Sequence, residues 1–392
     1  MQQNNNAKVA PLWFLALLTL TGTLAMHIFV PVLPLVAQDF SADLHEVQMT
    51  LSVYILGLAI GQLFYGPLAD AIGRRPVLII GMLIYAISSL AAMYSDSLTT
   101  LVGLRFLQAL GGCSGLLLGR TIVRDTTEGK DTAKKLSLMN LMVMLGPGLS
   151  PILGGLIASM SGWRSIFIVL CILGFINLLM IFIFLQGQPL TRAASAKMVL
   201  SNYKKLIISP KFLGYTIGGG LATTASYAFL SVVSYVVLHD LKGTIHQVSV
   251  CLALIMFGIW AGSLSSNRLL DRLSIDQMLR IGGRVGLVSS GVFFILMLLG
   301  YMNIYSVIIP IMVYSFSVGL SSPVALTKAL NVNPLIAGSA SGIYGFTQMA
   351  IGALCSSLSG FGSNPALSAA CVILAACCIS QLCFYQANRA TT

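Results

Sequence analysis

The sequence predicts an all-α membrane protein with twelve transmembrane helices. Of its 392 residues, 57% are hydrophobic and only 8% are charged, whereas about a quarter of the residues of an ordinary soluble domain are charged. The mean hydropathy is +0.90, and no polar stretch is long enough for a sizeable soluble domain. A helix that spans a bilayer needs about 20 mostly apolar residues, and polar clusters divide the chain into twelve such segments.

The longest polar connection, from Gln186 to Lys211, divides the twelve segments into six and six. A doubled six-span unit is typical of secondary transporters, because two similar halves can move about a site between them. The sequence therefore predicts two pseudo-symmetric six-helix bundles, residues 1–186 and residues 210–392. Residues 187–209 are predicted to form a cytoplasmic linker. The predicted spans are 11–36, 47–67, 76–94, 99–120, 134–160, 164–186, 210–238, 246–266, 276–300, 304–325, 336–360 and 364–386.

The basic side chains predict the orientation of these spans. The chain carries 22 Lys and Arg against 11 Asp and Glu. If both termini lie in the cytoplasm, 19 of the 22 basic residues fall on the cytoplasmic side, as the positive-inside rule describes. The net charge of +11 therefore indicates topology, and we expect a lipid bilayer and no nucleic acid among the partners.

Several function classes lack the residues they would need. No P-loop is present, which excludes ATP-driven transport by this chain alone. Ser114 lies in a glycine-rich setting, but no histidine is expected within reach to act as its base, so we expect no enzyme activity. The eight cysteines lie in apolar segments without the spacing of metal sites or disulfides, and we expect them to be small buried side chains. We expect no metal and no cofactor.

Away from their ends, the predicted spans hold one arginine, one histidine and no carboxylate. Ionisable groups in hydrocarbon are costly and usually functional. Arg105 and His27 lie roughly 10 and 13 Å inside the outer ends of their helices, at 1.5 Å per residue. Arg105 keeps its proton, so it either braces helices through carbonyl groups or faces a cavity and orients substrate. His27 is either a proton carrier or a neutral, hydrogen-bonded core residue.

Other polar side chains within the spans are candidates for a substrate or proton pathway. Each of them is also compatible with ordinary packing between helices. The candidates are Tyr54, Gln62, Gln108, Asn140, Tyr227, Tyr314, Tyr344 and Gln348.

Three motifs resemble those of the major facilitator superfamily. The loop from Gly66 to Leu78 (GPLADAIGRRPVL) is similar to the cytoplasmic signature G-x-L-a-D-r-x-G-R-[RK]-x-x-l, with Ala71 where an arginine is frequent. The segment from Arg105 to Gly111 (RFLQALG) resembles R-x-x-Q-G-x-G. The fifth span resembles the antiporter signature g-x-x-x-G-P-x-x-G-G through Gly146, Pro151, Gly154 and Gly155.

Together these motifs look most like the bacterial Bcr/CflA-type drug efflux branch of that superfamily. The resemblance implies the major facilitator fold, alternating access, small amphipathic drugs as substrates and the proton as coupling ion. It also implies a monomer in the bacterial inner membrane with both termini in the cytoplasm. The cytoplasmic signature would latch the two halves, a role that falls here to Gly66, Asp70, Gly73 and Arg74, with Asp125 as the partner of Arg74.

His27 departs from the pattern of many related drug:proton antiporters, which carry an acidic residue at this point of the first span. A protonated histidine repels cationic drugs and favours neutral or anionic ones. Two hypotheses follow. The first is a proton-coupled exporter of amphipathic drugs, with His27 as proton carrier coupled to Arg105. The alternative is an exporter or exchanger of a specific anionic metabolite, such as a carboxylate-rich compound, anchored by Arg105.

Overall fold

The computed structural model describes residues 10–126, 129–185, 196–270, 272–333, 336–361 and 364–389. The secondary structure in these ranges is helical throughout, with no strand. The helices are α1 (Leu12–His27), α2 (Leu33–Phe40), α3 (Leu44–Ile72), α4 (Arg74–Met93), α5 (Leu98–Thr126), α6 (Gly129–Ser161), α7 (Ser165–Phe184), α8 (Ala196–Ile208), α9 (Pro210–Thr224), α10 (Ser226–Tyr235), α11 (Ile245–Leu269), α12 (Ile275–Leu298), α13 (Ile304–Asn331), α14 (Ala337–Leu358) and α15 (Pro365–Arg389).

Two of the predicted spans are interrupted. The first consists of α1, a 3-10 turn at Val30–Val32, and α2. Pro31 and Pro34 lack the backbone N–H that an α-helix needs, which accounts for this break. The seventh span consists of α9, α10 and a π-helical turn at Val236–Asp240. The remaining spans follow α3 to α7 and α11 to α15, and α8 lies within the predicted linker.

Ten described helical segments are long and apolar enough to cross a membrane. The other two predicted crossings correspond to α6, with 33 residues, and α14, with 22 residues. These two helices pack against the opposite half of the protein, α6 against α11 and α14 against α3. Helices that face protein instead of lipid can carry more polar and small residues. The chain is thus a multi-pass membrane protein.

The helices form two bundles. In the first half, α5 packs against α1, α3 and α4, and α7 packs against α4. In the second half, α13 packs against α9, α11 and α12, and α15 packs against α9 and α12. The main contacts between the halves join the second crossing to the eleventh and the fifth crossing to the eighth. The second and eighth crossings hold equivalent positions in the two halves, and so do the fifth and eleventh. The two contacts are therefore related by the pseudo-symmetry that the sequence predicts.

Hydrogen bonds join the halves near the end opposite the loop between α3 and α4, which the basic residues predict to be the outer end. The Ser52 hydroxyl donates to Ser356 at 3.0 Å, and the Gln48 amide donates to the Ser231 carbonyl at 3.3 Å. Ser234 donates to a carbonyl oxygen of the turn after α1 at 2.6 Å. We call this set of residues the outer seam. It closes the outer end in the conformation described.

Large apolar side chains remain exposed around the outside of both bundles, among them Phe182 (56%) and Val288 (67%). Such a surface is suited to lipid rather than water. The expectation that all cysteines are buried is wrong for Cys371 and Cys378, which are exposed. Both lie on the face of α15 that points away from the bundle, where a small apolar side chain meets lipid at little cost.

Candidate functional site

Arg105 lies on α5 and is fully buried. Its Nη1 atom donates to the carbonyl oxygen of Ala25 at 3.1 Å and to Oε1 of Gln108 at 2.6 Å. The guanidinium also lies 4.1 Å from the ring centroid of Tyr54 and 4.7 Å from that of Phe29. Carbonyl, amide and aromatic groups thus replace water around the cation. In this conformation Arg105 connects α5 with the first crossing and with α3, as a brace does.

The hydrogen-bond network of Arg105 continues into α4. Gln108 is fully buried, and its Nε2 atom donates to the Ser89 hydroxyl at 2.7 Å. The hydroxyl of Tyr54, also fully buried, donates to the Gly22 carbonyl at 2.7 Å. Within the described residues, Nε and Nη2 of Arg105 have no hydrogen-bond partner. The network therefore holds a full positive charge with part of its hydrogen-bonding capacity unused.

His27 ends α1 and is only 5% exposed. Its Nδ1 atom lies 2.8 Å from the carbonyl oxygen of Thr23. A carbonyl oxygen can only accept, so the neutral ring carries its proton on Nδ1 and keeps a lone pair on Nε2. No described residue forms a hydrogen bond with Nε2. This atom is the one that can bind an incoming proton.

The structure does not join His27 to Arg105. No hydrogen bond links the two side chains in the described part of the chain. Arg105 is bound to the backbone carbonyl of Ala25, two residues before His27, while His27 is bound to the carbonyl of Thr23. Both groups therefore contact the last turn of α1 through separate hydrogen bonds. Coupling between them stays a prediction.

Three predicted pathway residues gather in the second half, between α14 and the seventh crossing. The side-chain amide of Gln348 donates to the Thr223 hydroxyl at 2.8 Å, and the backbone carbonyl of Gln348 accepts from the Thr224 hydroxyl at 2.8 Å. Tyr227 and Tyr344 each pack against a glycine of the facing helix. The Tyr344 hydroxyl is buried and has no partner among the described residues. A polar group without a partner in such a place is available to a ligand.

The remaining predicted pathway residues lie apart from these clusters. Gln62 of α3 donates to the Gly345 carbonyl of α14 at 3.2 Å, so it lies between the halves. Tyr314 is buried inside the second half. The side chain of Asn140 lies outside the part of the chain whose side chains the structure describes.

The predicted latch residues meet at the end of the first half that is predicted to face the cytoplasm. Arg74 forms an ion pair with Asp125, and another of its nitrogens lies 3.9 Å from Asp70. Gly73 turns the chain between α3 and α4 with a φ of +93°, which disfavours any side chain. Gly66 has ample space around it. The ion pair connects the start of α4 with the end of α5, and its role as a latch stays a prediction.

The second half has an equivalent pair that the sequence reasoning missed. Asp276 follows the start of α12, and Lys328 lies near the end of α13, with their charged atoms 2.6 Å apart. These positions correspond to Arg74 and Asp125 with the charges exchanged. The motif of the first half gives no signal for this pair, because the acid and the base have exchanged positions in the second half.

The antiporter-like motif sets how closely α6 approaches both of its neighbours. Gly146 and Gly154 leave no room for a side chain against α1. Gly155 lies in the same way against Ser249 of α11, whose hydroxyl donates to the Pro151 carbonyl at 2.9 Å. The motif therefore places α6 between the first crossing and the second half. The serines of the outer seam carry no comparable sequence signal, because serine is common in membrane helices.

Comparison with known proteins agrees with this architecture. The family model of the Major Facilitator Superfamily matches residues 15–357. The uncharacterized MFS-type transporter YdgK of Bacillus subtilis is 30% identical, over 97% of this chain and 96% of its own. Multidrug resistance protein D of Escherichia coli is 29% identical, over 89% and 87%. The solved D-xylose-proton symporter matches 94% of this chain and 96% of its own with a TM-score of 0.75 at 14% identity, which shows the fold alone.

The predicted resemblance is thereby confirmed. Several curated relatives carry drug-resistance names, in line with the efflux branch inferred from the motifs. The matched residues run from α1 into α14 and include the loop between α3 and α4 and the motif of α6. The chain therefore belongs to the major facilitator superfamily and is a transporter of that family.

Proposed function

We propose that this transporter exports small amphipathic molecules by alternating access and that proton entry through His27 drives the export. The relatives named for drug resistance support the substrate class. The two-bundle architecture supports alternating access, since its outer seam is built from hydrogen bonds that can separate. The observation that carries proton coupling is the His27 ring, with Nδ1 bound to Thr23 and Nε2 without a partner.

Histidine suits the task of a proton carrier because its imidazole ring can bind and release a proton while staying in place. In a state open to the outside, Nε2 takes up a proton. In a state open to the cytoplasm, the proton leaves. The bond from Nδ1 to Thr23 keeps the ring in one orientation through both steps. Since the protonated ring repels cations, we expect the preferred substrates to be neutral or anionic.

The alternative of a specific anionic metabolite rests on Arg105. This cation has two nitrogens without partners and no carboxylate bound to it among the described residues. It is fully buried, however, and covered by two aromatic rings. An anion would reach it only after α1 and α3 rearrange. We therefore place this alternative second.

Everted membrane vesicles test the proton carrier. An imposed pH gradient is followed while cationic, neutral and anionic amphipathic dyes are added, for the wild type, His27→Ala, His27→Asp and His246→Ala. His246 is exposed at the start of α11 and provides the matched control. We expect substrate-dependent proton movement to fall at least tenfold in His27→Ala, to be partly kept in His27→Asp, and to be normal in His246→Ala. Proton movement in His27→Ala equal to that of the wild type would exclude His27 as the carrier.

A further inference from the structure

We infer that α8, the helix between the two bundles, binds anionic phospholipid headgroups at the inner membrane surface. Its two faces differ in what they contact. Leu206 is fully buried against the second half, and the Tyr203 hydroxyl donates to the Leu63 carbonyl of α3 at 3.3 Å. This face attaches α8 to the protein.

The opposite face of α8 is apolar and exposed. Leu200 is 69%, Ile207 54% and Ile208 67% exposed. At about 100° per residue, these three side chains lie within roughly 100° of one another, turned away from Leu206. Three large apolar side chains on one face of a short helix are unfavourable in water, and they suit the boundary between headgroups and acyl chains.

Two lysines determine which lipid fits this face. Lys204 and Lys205 are exposed, and neither has a carboxylate partner among the described residues. Lys204 points between the apolar side chains, where a long stem can lie along lipid while the ammonium reaches the headgroup level. Lysines beside a membrane attract anionic headgroups. The occupant is thus a negatively charged phospholipid rather than a zwitterionic one.

The position of α8 along the membrane normal agrees with this assignment. Pro210 begins α9, the seventh crossing, directly after α8 and one intervening residue. Leu63, which Tyr203 contacts, lies about 13 Å from the end of α3, at 1.5 Å per residue. The helix therefore lies at the boundary of the bilayer and not in the aqueous phase beyond it.

The contact with Tyr203 connects this lipid site to the boundary between the halves. The Tyr203 hydroxyl also lies beside Gly342 of α14, so it touches both α3 and α14 where the second and eleventh crossings meet. Burial raises the pKa of the Tyr203 hydroxyl above its ordinary value of 10.0, so it remains a donor at neutral pH. Lipid binding at α8 and movement between the halves therefore act on the same contact.

The test uses the full chain with Leu200→Trp in liposomes, where brominated lipids quench nearby tryptophan. The signal is compared with that of the parent protein, which has three tryptophans. We expect brominated phosphatidylglycerol to quench the added tryptophan more than brominated phosphatidylcholine at equal mole fraction. The preference reflects local enrichment of about fivefold per lysine. It should disappear in a Lys204→Gln/Lys205→Gln background.

The matched control is Arg280→Gln/Arg284→Gln, which removes two exposed charges from the same end of the protein but from α12. We expect this background to keep the preference. Equal quenching by both lipids, or an equal loss in the control background, would overturn the inference. If no quenching is seen and cross-linking through α8 detects dimers, the apolar face of α8 contacts a second copy of the chain, which would also overturn the inference. None of these readouts depends on which molecule is transported.

Discussion

At the scale of single residues, Arg105 shows how a permanent charge is kept inside a membrane bundle. Two aromatic faces, a helix carbonyl and an amide oxygen surround its guanidinium. A planar, delocalised cation can use all of these at once, while an ammonium cannot. We therefore expect the shape of the side chain to matter more than its charge.

Arg105→Lys tests this directly. We expect the substitution to lower the free energy of unfolding by about 2 kcal/mol, because lysine loses the stacking and part of the charged hydrogen bonding. Thermal unfolding in detergent measures the effect, and Arg280→Lys at an exposed position provides the control. If Arg105 instead served as a substrate anchor, Arg105→Lys would unfold like the wild type and would still transport anions. That result would contradict the brace.

At the scale of helices, the glycines of α6 determine how closely this helix packs against its neighbours. Gly154 lies directly against the backbone of the first crossing, while Gly103 of α5 has no neighbour close to the position of an added Cβ. Both lie within helices with ordinary φ angles. The pair therefore separates the effect of close packing from the general effect of a helical glycine.

Gly154→Ala is expected to destabilise the protein by about 1–3 kcal/mol, because the new methyl group forces α6 away from α1. Gly103→Ala should be neutral or stabilising by up to about 1 kcal/mol, since alanine favours helix. Thermal unfolding of the two variants under identical detergent conditions gives the comparison. Equal unfolding temperatures for both variants would show that α6 does not depend on this close approach.

At the scale of the whole molecule, the outer seam closes one end of the boundary between the bundles. Its contacts are hydrogen bonds between small polar side chains and carbonyl groups of opposite halves. Such bonds each contribute about 1 kcal/mol and can be exchanged for bonds to water. A seam of this kind closes the outer end without fixing it permanently.

A disulfide across the seam tests whether opening is needed for transport. Ser52→Cys/Ser356→Cys, in a background without the native cysteines, places two thiols where hydroxyls lie 3.0 Å apart. We expect oxidation to stop transport and reduction to restore it, because alternating access requires the outer end to separate. Single-cysteine variants provide the control. Undiminished transport with the cross-link formed would mean that the halves need not separate at this point.

The candidate site was only partly predictable. Arg105 and His27 could be selected because ionisable groups are rare within membrane spans, and the pairing of Arg74 with Asp125 followed from the family motif. The aromatic rings over Arg105 could not be selected, because Phe29 and Tyr54 resemble many other aromatic residues in this chain. The pair of Asp276 and Lys328 was hidden because its charges are exchanged relative to the first half.

The sequence by itself determined the membrane environment, the predicted crossings, their grouping into six and six, and the family. These follow from hydropathy, charge placement and motifs, which are properties of each stretch of chain taken alone. Tertiary structure decided which polar groups meet: Arg105 is bound inside the first half, and Ser52 reaches Ser356 304 residues away. The side of a helix that meets lipid, a partner helix or the opposite half depends on packing between distant segments, and local sequence does not encode it.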